Sequence, residues 1–268
     1  MKTNYNLKLL ISAVLSVTTF LQTGAQDDVV RLVSFKNFDH LPTFSCLSGS
    51  FICCSLENKF FFKEFMDAEA KGCYIVGRNF LPFSIRHYGS GAYGRLDLCS
   101  GYGRSFGKSF AMSFRIFYIL EHARHYPSRH SFCLDVGFMY RLNRKTLLSA
   151  NIYNPFMLNY GLVSKQPIPI VFTVGTMYQF SQKLIANILI QKYLPGNWII
   201  KGSICFQPFK KILTNLECSN YQVGLDFGFV VRCITFSVGV AWHYRLSFSP
   251  HLDALYSFNN YKTSIFDE

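Results

Sequence analysis

Beyond its first 25 residues the sequence has no uninterrupted apolar run of the ~18 residues that a membrane-crossing helix requires. A helical membrane protein is thereby excluded. The nine cysteines, at positions 46, 53, 54, 73, 99, 133, 205, 218 and 233, include no C-x-x-C or C-x-x-H spacing, so a zinc site has no support. A disulfide framework belongs to short chains with weak cores, whereas this chain has 268 residues, 50% of them apolar. The densest histidine cluster, His122, His125 and His130, falls in a predicted loop without a rigid further ligand. Neither an enzyme nor a cofactor or metal is expected.

Acids are scarce too, 15 against 27 Lys and Arg. Lys2 and Lys8, the apolar stretch Leu9–Leu21 and the small residues Thr23, Gly24 and Ala25 resemble a secretory signal peptide cut after Ala25. Its loss removes two lysines, leaving 25 basic and 15 acidic residues and a formal charge of +10. Such a charge suits anionic lipid head groups or nucleic acid, and export argues against nucleic acid. Many basic residues sit between apolar runs, as in Arg141, Arg144 and Lys145 or Lys210 and Lys211, where they read as turn charges.

What the sequence has in abundance is aromatic residues, 28 Phe and 16 Tyr, distributed over short alternating segments. Between His130 and Arg141, Phe132, Leu134, Val136, Phe138 and Tyr140 alternate with Cys133, Asp135, Gly137, Met139 and Arg141. Period two marks a strand, since successive side chains leave opposite faces of a sheet. In a soluble sandwich the apolar face would be the core; in an outer-membrane barrel it faces lipid and the polar face lines the lumen.

Fourteen segments of this kind are predicted: 50–57, 67–76, 81–88, 94–104, 109–119, 130–141, 145–153, 170–180, 183–192, 197–207, 210–218, 221–230, 233–243 and 248–258. Their length of roughly ten residues is what a tilted membrane strand needs. Joins after even-numbered segments are tight, and joins after odd-numbered ones are mostly longer, notably 58–66, 120–129 and 154–169. Short turns on one side and longer loops on the other suit an outer-membrane barrel with both chain ends in the periplasm. The predicted fold class is therefore all-β: a transmembrane antiparallel barrel of about 14 strands following a signal peptide. The predicted organisation is a signal peptide at 1–25, a periplasmic segment or partial plug at 26–49, the barrel at 50–258 and a C-terminal extension at 259–268.

Strand parity places Arg95, Asp97, Arg115, Asp135, Arg141, Lys201, Asp226 and His243 on the lumen side. Phe117, Ile119, Ile185, Leu189 and Leu213 share that side, which leaves room for a partly apolar interior. Gly101, Gly137, Gly175, Gly224 and Gly239 also lie opposite the apolar face, either relieving crowding or serving as plain wall.

Several stretches are similar to landmarks of the PorV/PorQ-type outer-membrane proteins of Bacteroidetes. They are Ser55–Phe65 (SLENKFFFKEF), Leu81–Arg86 (LPFSIR), Gly101–Gly107 (GYGRSFG), Asn151–Pro155 (NIYNP), Pro169–Phe180, Lys201–Pro208 and Ser247–Phe258. This resemblance spans roughly residues 50–258 and implies a barrel related to the long-chain fatty-acid transporters, serving type IX secretion as an accessory. The family's Asn-Pro-Ala-Gly-Leu-Ala-like segment is missing before the first strand, where His40–Gly49 reads HLPTFSCLSG. An accessory barrel would present Phe156, Met157, Leu158 and Tyr160 of the 154–169 loop to secretion-machinery proteins or cargo. The alternative, a carrier of small hydrophobic molecules, should show an interior apolar pocket and a gap in the wall.

Overall fold

In the computed structural model of the chain, residues 49–160 and 167–258 are described, apart from 182 and 210. The predicted signal peptide, most of the 26–49 segment and the C-terminal extension lie outside the described residues. Fourteen antiparallel strands form one sheet that closes on itself. They are β1 (Phe51–Asn58), β2 (Met66–Val76), β3 (Asn79–Gly89), β4 (Tyr93–Phe106), β5 (Phe110–Ala123), β6 (Arg129–Arg141), β7 (Thr146–Tyr153), β8 (Ile170–Ser181), β9 (Leu184–Leu194), β10 (Trp198–Phe209), β11 (Ile212–Ser219), β12 (Gln222–Val231), β13 (Ile234–His243) and β14 (Phe248–Ser257). Each strand pairs with its sequence neighbours, and β1 meets β14 from Phe51↔Ser257 to Glu57↔His251. No edge is left open, as hydrocarbon demands of any backbone that cannot bond to water.

The inversion of faces is visible strand by strand. On β6, Phe132 and Tyr140 are exposed while Ser131, Cys133, Asp135, Gly137 and Met139 are buried. On β13, Phe236, Val238, Val240 and Trp242 point out, and Thr235, Ser237, Gly239 and Ala241 point in. Exposed aliphatic residues such as Ile116, Val174, Ile204, Leu225 and Val238 occupy strand middles, with aromatic residues nearer the ends: Tyr74, Phe106, Phe180, Phe209 and Phe229 on one rim, Tyr93, Trp198, Tyr221, Trp242 and Phe248 on the other. An apolar band between two aromatic girdles is the surface of an outer-membrane barrel.

The connections sort less cleanly than the sequence suggested. Even-numbered strands are followed by tight joins, 77–78, 107–109, 142–145, 182–183, 210–211 and 232–233, on the end that carries the start of β1 and the finish of β14. The opposite end has 59–65, 90–92, 124–128, 154–169, 195–197, 220–221 and 244–247, so only 154–169 is long. The expected 120–129 loop is short because β5 continues to Ala123, whose pairing with Tyr93 extends the β4–β5 ladder past the apolar stretch.

Inside, the barrel is layered along its axis. Near the tight-turn end, most strands contribute a buried apolar or thiol side chain to one cluster, among them Phe51, Phe80, Met139, Leu147, Met177, Ile185, Leu213 and Val230. The cysteines Cys53, Cys73 and Cys205 belong to it. Above this layer the wall becomes polar.

Candidate functional site: a charged lumen

Two adjoining cavities occupy the polar part of the lumen. The first, about 190 Å³, is lined by six carboxylates, Glu57, Asp67, Glu69, Glu217, Asp226 and Asp253, with Lys71, Arg86 and His251. The second, about 290 Å³, is lined by Arg86, Arg95 and Arg115, by Glu69 and Asp97, and by Phe117, Tyr153, Tyr160 and Tyr193. Glu69 and Arg86 belong to both, and they are direct partners across the β2–β3 ladder.

Strand alternation builds the arginine cavity. On β5 and β6, Arg115 and Asp135 are register partners, and Arg115 Nη2 donates to Asp135 Oδ2 at 2.8 Å. Asn151 Nδ2 donates to the same oxygen at 3.0 Å, while the Arg115 guanidinium lies 5.0 Å from the Phe117 ring centre. Arg115 is 1% exposed and Asp135 0%, so each needs the other as counter-ion. Arg95, more open, donates from Nε to Asp97 Oδ1 at 2.8 Å and lies 3.8 Å from Glu121 Oε1. Its Nη1 donates to the Tyr160 hydroxyl at 3.4 Å.

The acidic cavity is assembled from β1 to β3 and β11 to β14. Arg86 makes a two-pronged contact with Asp67, Nε donating to Oδ1 at 2.9 Å and Nη2 to Oδ2. Lys59 Nζ approaches the same carboxylate at 3.2 Å, and Lys71 Nζ lies 2.8 Å from Glu69. Asp226 accepts from Asn215 Nδ2 at 2.7 Å and pairs with His251 Nε2. This pair lies against Gly239, where any Cβ would collide with the Asp226 carboxylate and the His251 ring. At Gly101 an added Cβ would meet the backbone oxygen of Phe114 first and the Arg115 side chain next. At Gly239 the close approach of neighbouring side chains accounts for the missing Cβ.

Of the residues assigned to the lumen from sequence, Arg95, Asp97 and Arg115 line the arginine cavity, Asp226 lines the acidic one, and Asp135 supports Arg115 from the wall. Arg141, Lys201 and His243 have lumen parity and line neither cavity. His243 stands at the outer rim with its ring edge-on to Phe60, 4.8 Å between centres. Phe117 and Ile119 form a buried patch with Cys133, Tyr153, Tyr160 and Ile168, whereas Ile185, Leu189 and Leu213 join the apolar layer below.

The 154–169 loop requires a correction. Phe156 and Met157 are exposed, 68% and 66%, but Tyr160 turns inward onto Arg95 and the patch around Phe117, and Leu158 is half-buried. Tyr160 is therefore part of the cavity wall and is withdrawn as an outer contact. Asn154 causes the turn. It is wholly buried at φ 54°, a left-handed conformation that Asn tolerates, and its Nδ2 donates to Leu158 O and Ile168 O at 3.3 and 2.7 Å. Its Oδ1 accepts from Leu158 N at 2.9 Å.

That loop sits where the wall steps down. β7 pairs with β6 only from Asp135 to Arg141, leaving residues 129–134 of β6 without a β7 partner. Asn154 N donates to Leu134 O at 2.7 Å, and Ile168 packs on Cys133, so these described parts of the loop occupy the step.

Sequence reasoning missed Asp67, Glu69 and Lys71 because the centre of β2 carries only small residues on its outer face, Ala68, Ala70 and Gly72, and it missed their neighbour Arg86 on β3 as well. The signal was there in the other face: Asp67, Glu69 and Lys71 are themselves spaced by two.

No family model matches the chain, and no curated protein matches it. Solved structures do. The CymD monoaromatic hydrocarbon channel superposes with a TM-score of 0.62 at 8% identity, covering 90% of this chain and 95% of that one. The Pseudomonas putida toluene transporter TodX gives 0.63 at 7% identity over 83% and 94% of the two chains, and the Ralstonia pickettii toluene transporter TbuX 0.60 at 10% over 83% and 93%. At such identities the likeness is one of fold. Closed barrel, lipid-type belt and this likeness define the class: a fourteen-stranded β-barrel of the outer membrane. The three matched structures are channels or transporters and lend no support to a PorV/PorQ-type secretion role.

Proposed function

We propose that this barrel is a non-catalytic outer-membrane channel through which small molecules enter the cell. The observation that carries the reading is the cavity of about 290 Å³ inside the closed wall, with four aromatic rings and a set of fixed charges converging on it. Ligand cavities of this build, a few placed polar groups among apolar and aromatic ones, orient small solutes. The fold-level likeness to hydrocarbon channels agrees with the reading. An accessory role in secretion would rest on the outward side chains of one loop, Phe156 and Met157.

Flux tests the reading. Purified protein in phospholipid vesicles is expected to accelerate uptake of labelled phenyl glucoside, an uncharged aromatic solute that lipid passes slowly, above protein-free vesicles. Equal uptake with and without a correctly folded barrel would refute a channel; recovery of secretion-machinery chains with that inactive barrel would favour the accessory role.

A further inference from the structure

Strand order around the barrel follows chain order, so the six tight joins are spaced along one rim at every second strand, interrupted only where β1 meets β14. Each join carries a basic residue: Arg78, Lys108, Lys145, Lys183, Lys211 and Arg232, all exposed. No Asp or Glu stands in these joins or within five residues of them along the chain. Among the described residues none of the six cations makes an ion pair. The opposite end is mixed. Its joins 90–92, 195–197 and 220–221 hold no charged residue, and Lys59 lies there between the carboxylates of Glu57 and Asp67.

We infer that the tight-turn rim is a binding ring for anionic phospholipid, in which the turn cations meet head-group phosphates of the leaflet around them. The distribution selects the partner. A protein would cover one sector of the rim, whereas cations at all six turns match something that surrounds the barrel, as a leaflet does. Height agrees, because the cations lie just past the aromatic girdle of Tyr74, Phe106, Phe180, Phe209 and Phe229, where hydrocarbon gives way to head groups. Arg104 supports the same partner from the barrel wall. It is exposed on the outer face of β4 between Tyr102 and Phe106, with its guanidinium 5.9 Å from the Phe106 ring centre. A cation facing lipid is costly at the middle of the membrane, whereas near the rim its long side chain reaches the phosphates. Basic residues clustered beside a membrane attract anionic head groups by charge. Lipid binding at this rim is independent of what the lumen carries.

The two tryptophans of the chain, Trp198 and Trp242, both stand on the opposite rim and report the lipid there. A reporter variant, Phe106→Trp with Trp198→Phe and Trp242→Phe, moves the probe beside Arg104 and Lys108. In vesicles, quenching by brominated phosphatidylglycerol against brominated phosphatidylcholine gives the relative affinity at each rim. At the reporter phosphatidylglycerol is expected to bind at least about fivefold more tightly, the effect of one basic residue near an anionic surface. The unmodified protein should show a smaller ratio at its own tryptophans. Adding Arg104→Gln and Lys108→Gln to the reporter should bring its ratio close to one, with heat-modifiable migration on gels verifying the barrel. A reporter ratio near one, a ratio as large at the opposite rim, or a preference that survives both substitutions would overturn the inference. Should the reporter variant form no barrel, native mass spectrometry of the unmodified protein from equimolar vesicles decides. Phosphatidylglycerol enriched among the retained lipids supports the ring, and retained lipid of bulk composition overturns it.

Discussion

Val231 and Val238 offer a direct measurement of where the lipid lies. Both point outward and are similarly exposed, 57% and 53%. They differ in depth: Val231 ends β12 beside a tight turn, whereas Val238 pairs with Phe227, four residues further inside on the same strand. At about 3.4 Å per residue and a tilt near 40°, that separation is about 10 Å in depth, most of the way from rim to midplane of a ~25 Å apolar band. Arginine in place of Val238 should therefore destabilise the barrel by about 2–4 kcal/mol, and in place of Val231 by about 0–1 kcal/mol. The assay is equilibrium unfolding by guanidinium in phospholipid vesicles, followed by tryptophan fluorescence. In a water-soluble barrel the two sites would be equivalent and near neutral, within about 0.5 kcal/mol of the parent. That result, for Val238→Arg, would refute the outward-facing apolar belt on which the fold assignment depends.

Three further outcomes follow from the interior. Arg115→Met leaves the Asp135 carboxylate buried without its counter-ion and should cost about 3–5 kcal/mol by the same unfolding assay, with the Arg115→Met/Asp135→Leu double variant recovering more than half of that. Asn154→Gly keeps the left-handed backbone but removes three side-chain hydrogen bonds, so the amides of Leu158 and Ile168 should lose hydrogen-exchange protection while the strands keep theirs. Gly239→Ala should cost about 1–3 kcal/mol because its Cβ meets Asp226 and His251, whereas Gly202→Ala, with nothing within 4 Å of the added carbon, should be tolerated in the same measurement.

The strands were legible because lipid reads one face of each and leaves the other free. Where that face is large and apolar, the predicted bounds come within a few residues: 130–141 against Arg129–Arg141, and 233–243 against Ile234–His243. β2 shows lipid only alanine and glycine at its centre, so the alternation survives there as Asp67, Glu69 and Lys71 on the lumen side. The upper part of β5 was hidden differently. Glu121 and His122 interrupt the apolar pattern, yet Glu121 faces the lumen near Arg95, and pairing with β4 on one side and β6 on the other continues the strand. The position of Tyr160 was beyond any local pattern, since it depends on a contact with Arg95 across 65 residues of sequence and on the left-handed turn at Asn154.

On the proposed channel reading, the order of layers bears on what a solute experiences. Arriving from the outer rim, it meets the polar cavities first, where fixed charges replace part of its hydration. Only then does it reach the layer containing Phe51, Phe80, Met139 and Leu213, all at 1% exposure or less. Dry apolar constrictions oppose ions strongly because nothing there replaces a hydration shell. A solute that retains an apolar body after its polar groups have been matched above has a smaller penalty to overcome at this layer than a compact ion does. The sequence of environments thus favours organic molecules over inorganic salts, even though the first surface they touch is among the most charged in the protein.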